Sequence, residues 1–181
     1  MRNSTSFLAL LAALLFSLNA AAFEPDTSDT IQLDVARAIL AVKKTDPGMQ
    51  AFFDNAAGYA VYPSVGKAGF VVGGAYGKGL VIANQQVDGY TTMTQATVGF
   101  QLGGQKYAQF VFFRDQAALE NFKRGNFEFG AQASAVAITK GASSDANYDK
   151  GVVVFTHAGG GLMVEGTVGG QKFTYEPKTM Q

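Results

Sequence analysis

The chain has 181 residues, with 14 basic and 14 acidic side chains, one histidine and no cysteine. The lack of cysteine excludes disulfides, thiolate metal sites, cysteine nucleophiles and lipid attachment to an N-terminal cysteine. Balanced charge argues against nucleic acid as a partner, since that calls for a basic surplus.

Residues 1–22 read as a secretory signal. Arg2 gives a positive start, residues 7–18 form an apolar run, and Ala20-Ala21-Ala22 fits a small-residue cleavage pattern. The run is shorter than the ~20 residues that span a bilayer. The expected mature chain starts near Phe23 and forms one domain over 23–181. The expected location is the periplasm or outer-membrane periphery of a Gram-negative bacterium.

About three short helices are predicted. Asp29 can cap the first, with Gln32 completing a capping-box-like start, and Ile31, Val35, Ile39 and Val42 recur at helical spacing. Asp46-Pro47-Gly48 stops it and opens a second helix, with Met49, Phe52 and Phe53 on its apolar face and Gly58 as its stop. A third runs over 115–124, burying Leu119 and Phe122 and ending at Gly125.

Between the second and third helices lies the stretch around which the chain is organised, residues 60–79 (A-V-Y-P-S-V-G-K-A-G-F-V-V-G-G-A-Y-G-K-G). Glycines set among β-branched and aromatic residues predict a strongly bent strand region. Gly73 and Gly74 are expected at a bend or at positive φ. Strands are expected near 68–76, 79–83, 90–102, 107–113, 127–138, 152–157, 162–167 and 171–175. Val87-Asp88-Gly89-Tyr90 reads as a hairpin turn. An internal echo pairs Gly103-Gly104-Gln105-Lys106-Tyr107 with Gly169-Gly170-Gln171-Lys172-Phe173. The fold class is α+β, with a mainly antiparallel, glycine-rich sheet that is strongly bent or curled into a partial barrel.

Recognisable catalytic chemistry is missing. His157 reads as a histidine at the edge of the core with one hydrogen-bond partner. No Gly-x-Ser-x-Gly turn presents a nucleophile, and no acid cluster has calcium-loop spacing. Gly73 to Lys78 is too short for a phosphate loop and ends on Gly79 where a Ser or Thr would be needed. No nucleotide, metal or other cofactor is expected, and the reading is non-enzymatic.

The run Ala60-Val61-Tyr62-Pro63, Val65-Gly66-Lys67-Ala68-Gly69-Phe70 and Gly73-Gly74-Ala75-Tyr76-Gly77-Lys78-Gly79 resembles the signature of the SYLF-domain family. Val98-Gly99-Phe100-Gln101-Leu102-Gly103-Gly104-Gln105 and the helix around 117–122 follow in matching order. The resemblance covers the chain from about Ile31 to the 170s and implies a lipid-binding module. Two features depart from it. Gly89-Tyr90-Thr91 stands where many relatives have Gly-Trp-Ser, and acidic Glu24, Asp26 and Asp29 precede the first helix in place of a basic segment.

The expected partner is therefore a phospholipid membrane surface, with anionic headgroups met by Lys67 and Lys78 beside Gly73 and Gly74. Lys43, Lys44, Lys123 and Arg124 could widen that patch, although cations at helix C-termini also favour the helix dipole. The alternative is a structural or protein-interaction role in the cell envelope. A small outer-membrane barrel is a third reading, weakened by the three helices.

Overall fold

The computed structural model describes residues 23–69, 72–98, 105–125, 127, 129, 135–158 and 168–179. The signal segment, the strand expected at 162–167 and the first half of the echo up to Gly104 lie outside the described residues. So does most of the strand expected at 127–138, of which the described part is the short strand β5.

Two local devices set the helices. The Asp29 carboxylate accepts the N–H groups of Ile31 and Gln32 and so caps α1 (Thr30–Thr45). The capping box is altered: Gln32 donates to the Asp29 carboxylate, while its own oxygen accepts the N–H of Asp26. Asp115 caps α3 (Gln116–Lys123) in the same way through Ala118 N–H, and Gly125 follows it at φ +71°. Between them lies α2 (Met49–Asn55), which ends three residues before the expected stop. Gly58 instead opens the first strand. A Cβ there would lie 2.9 Å from Leu119 Cδ2, so its lack of a side chain serves packing against α3.

The strands are β1 (Gly58–Gly69), β2 (Val72–Ala83), β3 (Gln86–Val98), β4 (Gln105–Phe113), β5 (Val136–Ala137), β6 (Val152–His157) and β7 (Gln171–Pro177). They form one sheet in the order β5-β6-β4-β1-β2-β3-β7, antiparallel except for the parallel β5–β6 pair. The strand expected at 68–76 is in fact two strand ends, because β1 pairs back on β2 from Gly58↔Ala83 to Gly69↔Gly73. The β2–β3 turn is also displaced from its expected place. Asn84 (φ 49°) and Gln85 (φ 62°) make a two-residue turn in the left-handed region that right-twisted hairpins require. Gly89 sits within β3 at a bulge, where Val81 opposes Gly89 and Ile82 opposes Val87.

Alternation along the strands gives the sheet two apolar faces. On the outer face, Tyr59, Val61, Leu80, Ile82, Phe110, Phe112 and Phe155 pack beneath α1 and α2. Phe52 and Phe53 supply the edge-on ring contacts, at 4.9 Å to Phe155 and Phe112 respectively. On the inner face, Tyr62, Val65, Met93, Tyr107, Val111, Phe113 and Phe173 gather around Leu119 and Phe122 of α3. Full burial of each such side chain is worth about 1.5–3 kcal/mol, so α3 is held chiefly by two residues.

The inner face is concave. Gln109 on β4 and Gln171 on β7 exchange hydrogen bonds of 2.8 and 3.0 Å, although β1, β2 and β3 lie between their strands in the sheet. The sheet therefore curls through the β4–β7 arc until its inner side chains meet, without closing.

Candidate functional site

The five long strands β1–β4 and β7 carry six charged residues. Lys67, Lys106 and Lys172 lie toward the end where the β1–β2 hairpin closes, and Lys78 lies at mid-hairpin, five residues from Gly73 and five from Ala83. Asp88 and Glu176 lie toward the other end. Register fixes the levels. Lys106, Gly66, Tyr76, Thr94 and Lys172 form one row across β4, β1, β2, β3 and β7. Lys67 belongs to the next row toward the hairpin end, with Ala75, Gln95 and Gln171. Lys78 lies two residues the other way, level with Ser64 and Thr92.

The two lysines expected to act together do not share a face. Lys67 pairs with Ala75, a residue of the inner core, and is half-buried. Lys78 pairs with exposed Ser64 and points outward, as do Lys106 and Lys172, all three exposed. Tyr76 stands between them on the outer face, 51% exposed, one of two large apolar side chains so placed among the described residues. None of the four lysines makes an ion pair among the described residues.

Lys106 and Lys172 were missed from sequence, yet a signal existed. They occupy the same place in the two copies of the Gly-Gly-Gln-Lys-aromatic echo. In both, alternation sends lysine outward and the aromatic, Tyr107 or Phe173, into the inner core.

Gly73 and Gly74 flank this region in β2, where Gly74 is exposed with an ordinary extended φ. The expectation of positive φ fails there. A Cβ on Gly74 would meet only Gln95 O at 3.3 Å, whereas one on Gly79 would fall 2.3 Å from Val61 O. Gly79 thus lets two strands approach closely.

The helix-end cations lie elsewhere. Lys43 sits 4.7 Å over the Phe53 ring, its ammonium pushed down by burial and supported by the charge of Asp54. Lys44 is exposed on the last turn of α1. Lys123 pairs with Asp88 at 3.0 Å. Burial is the largest single influence and works against its charge, but the hydrogen bond and charge of Asp88, with the charges of Tyr175 and Glu120, together outweigh it and raise the ammonium above its ordinary value. Tyr175 donates to the same carboxylate at 2.6 Å, and burial with that bond pushes its hydroxyl up to about 12. Arg124 Nε donates to Glu120 O within the helix end. These groups tie α3 to the acid end of the sheet.

Inside the curl, a polar cluster stands below Lys67. Tyr62 donates to Thr91 Oγ1 at 2.9 Å, Thr91 donates to Thr174 O, and Gln95 donates to Gly169 O beside the Gln109–Gln171 pair. Thr156, the register partner of Gln109, has a buried hydroxyl with no partner among the described residues. His157 is half-buried, with Nε2 3.3 Å from Thr45 Oγ1 and its pKa lowered by burial, as expected of a histidine at the core edge. Among the described residues no group of three or more His, Asp or Glu is placed to hold a metal. No helix among them is long and apolar enough to cross a membrane.

Comparison with known proteins gives two findings. Residues 94–178, which take in the last five residues of β3 and all of β4–β7, match the family model Ysc84, described as "Las17-binding protein actin regulator". The chain is also 26% identical over 138 residues to "Beta cell expansion factor A" of Aeromonas veronii. That alignment covers 75% of this chain and 52% of the relative, so the chain spans about half the length of the curated protein it matches.

Proposed function

Since residues 94–178 carry a SYLF (Ysc84) domain, we propose that the protein is an exported, membrane-peripheral module that binds anionic phospholipid and catalyses no reaction. The observation carrying this reading is the polarity of the sheet, with Lys67, Lys106 and Lys172 toward one end, Lys78 at mid-strand, and Asp88 and Glu176 toward the other. A chain with balanced total charge has no general attraction to an anionic surface, so segregation has to provide it. Asp88 is four residues along β3 from Thr92, the partner of Lys78, a separation of about 13 Å. That exceeds the Debye length of ~10 Å at 0.1 M salt, so the acid does little to offset the lysine. Each lysine near an anionic membrane contributes about 1 kcal/mol, and four together about three orders of magnitude in partitioning.

Export is supported by the charged start, apolar run and small-residue site of 1–22. An N-terminus near Phe23 in envelope material, read by mass spectrometry, is the expected result, and an intact Met1 in the mature protein would remove export from the reading. Lipid binding is tested by flotation with vesicles in a headgroup series. Binding should follow negative charge, with phosphatidylglycerol vesicles bound and phosphatidylcholine vesicles ignored. Equal binding to both, or to neither, contradicts it.

The second reading is a protein-docking module of the cell envelope. One finding favours it: the matching family model is described by a protein partner, Las17. A protein that pulls down an envelope partner while ignoring vesicles of every composition would decide for it.

A further inference from the structure

Resting on the lipid-binding reading above, we propose that the bilayer meets the outer side of the sheet, along a ledge between α1 and Tyr76. The outer face is covered unevenly. α1 and α2 pack over the half that holds Tyr59, Val61, Leu80 and Ile82. Toward the hairpin the outward residues Ser64, Gly66, Gly74, Tyr76, Lys78 and Thr94 are all exposed. Tyr76 is four residues from Leu80, about 13 Å along β2. α1, about 10 Å across, therefore stands as a ridge beside this uncovered half, and Lys78 occupies the angle between the two. The flank of α1 that overlooks the ledge follows from its partners. Val35, Ile39 and Val42 point down to the sheet, so Arg37 and Lys44, both exposed, stand along the crest. Thr45 reaches His157, at the end of β6 nearer the hairpin. That turns the Thr45 side of α1, with exposed Ala41 one turn back, toward the uncovered half. Leu40 lies on the opposite flank, three residues before Lys43, which sits over Phe53 of α2.

Charge favours this side of the molecule. α1, α2 and the outer faces of the five long strands carry six cations, Arg37, Lys43, Lys44, Lys78, Lys106 and Lys172. Against them stand three acids, Asp34, Asp54 and Glu176, of which Asp34 is paired with Arg37 at 2.7 Å. On the inner side, α3 offers Glu120 and Lys123, 3.5 Å apart, with no surplus of either sign. Lys106 and Lys172 lie two strands to either side of Tyr76 in its own row, each about 10 Å away on the flanks of the curl. Lys67 points into the interior, behind the sheet from this surface. The outward neighbours of Tyr76 are glycine, threonine and lysine, which form no pocket for the anchor residue of a protein partner. A fluid layer of anionic headgroups needs no pocket. It fills the ledge to meet Lys78, and it receives Tyr76, 51% exposed, as an interfacial aromatic, apolar in its ring and polar at its tip.

The sequence contains no tryptophan, so a single introduced indole reports which side enters the bilayer. Tyr76→Trp and Ala41→Trp place one at the lip and one on the wall of the ledge, and Asn121→Trp places one on the exposed side of α3. Emission is recorded with phosphatidylglycerol vesicles after far-ultraviolet circular dichroism has confirmed the fold. The first two should shift to shorter wavelength and the third should not move. In partitioning measurements, Lys78→Gln should weaken binding about fivefold and Lys67→Gln less than about twofold. A shift at Asn121→Trp, or none at Tyr76→Trp or Ala41→Trp while the protein still binds, overturns the ledge and leaves the lipid-binding reading standing. Equal losses from Lys67→Gln and Lys78→Gln overturn it too. Wild-type protein that ignores the vesicles removes both the reading and the ledge as a lipid site. If Tyr76→Trp emission then shifts with polyglutamate, the occupant is an acidic polypeptide instead.

Discussion

At Gly79 a side chain has nowhere to go. Its Cβ would stand 2.3 Å from the carbonyl oxygen of Val61 and 2.8 Å from the ring of Tyr62, which is itself fully buried. Backbone cannot move aside as a flexible side chain can, so Gly79→Ala should cost about 3 kcal/mol by overpacking. Gly74→Ala, on an exposed and ordinarily extended residue, should cost no more than about 1 kcal/mol. Thermal melting of the two variants checks the pair; equal melting temperatures would refute the close approach at Gly79. The sequence marks all these glycines alike, because nothing local separates a glycine that admits a neighbouring strand from one facing solvent. What was legible at this scale is what residues do to their own backbone. Asp29 caps as read, since a cap involves partners only two or three positions away.

At the scale of elements, the β1–β2 hairpin holds both lysines of the central stretch, one on each face. Reversing both, Lys67→Glu with Lys78→Glu, should weaken binding to anionic vesicles well over tenfold while the fold persists. Co-sedimentation measures it, and unchanged binding would show that the hairpin is not the contact. The inner core predicts a pH dependence. Burial pushes Tyr107 up to about 12, above its ordinary value near 10. The folded state therefore favours the neutral phenol. That contribution is whole below pH 10 and is lost as pH rises from about 10 to 12. Tyr59 and Tyr175 act in the same direction over the same window. Tyr107→Phe should melt close to wild type at pH 7 and lose less stability between pH 10 and 11.5. Parallel alkaline curves for the two would contradict the assignment. Strand regions were legible from their β-branched and aromatic runs, but the β1–β2 turn was not. Gly66, Gly69, Gly73 and Gly74 signal a turn equally well, and the pairing of Gly58 with Ala83 decides among them.

The whole molecule is organised by curl and polarity, and neither was open to a linear reading. The curl depends on Gln109 meeting Gln171 across 62 positions. The polarity depends on strand directions that bring Lys67, Lys78, Lys106 and Lys172 within three residues of one another along the strands. The partial barrel was anticipated from glycine content alone, and the echo around Lys106 and Lys172 was visible without its meaning. Once register is known, the same echo gives a matched pair of outward lysines on the two strands that face each other across the interior. On the lipid-binding proposal, a molecule with balanced total charge binds a membrane through this segregated set. The most direct test is the partitioning of the unaltered protein onto phosphatidylglycerol vesicles as salt is raised from about 0.05 to 0.5 M, where the Debye length shrinks to a few ångströms. Partitioning should fall steeply and continuously over that range, by at least tenfold. Binding that ignores salt would contradict the account and assign the attraction to apolar contact instead.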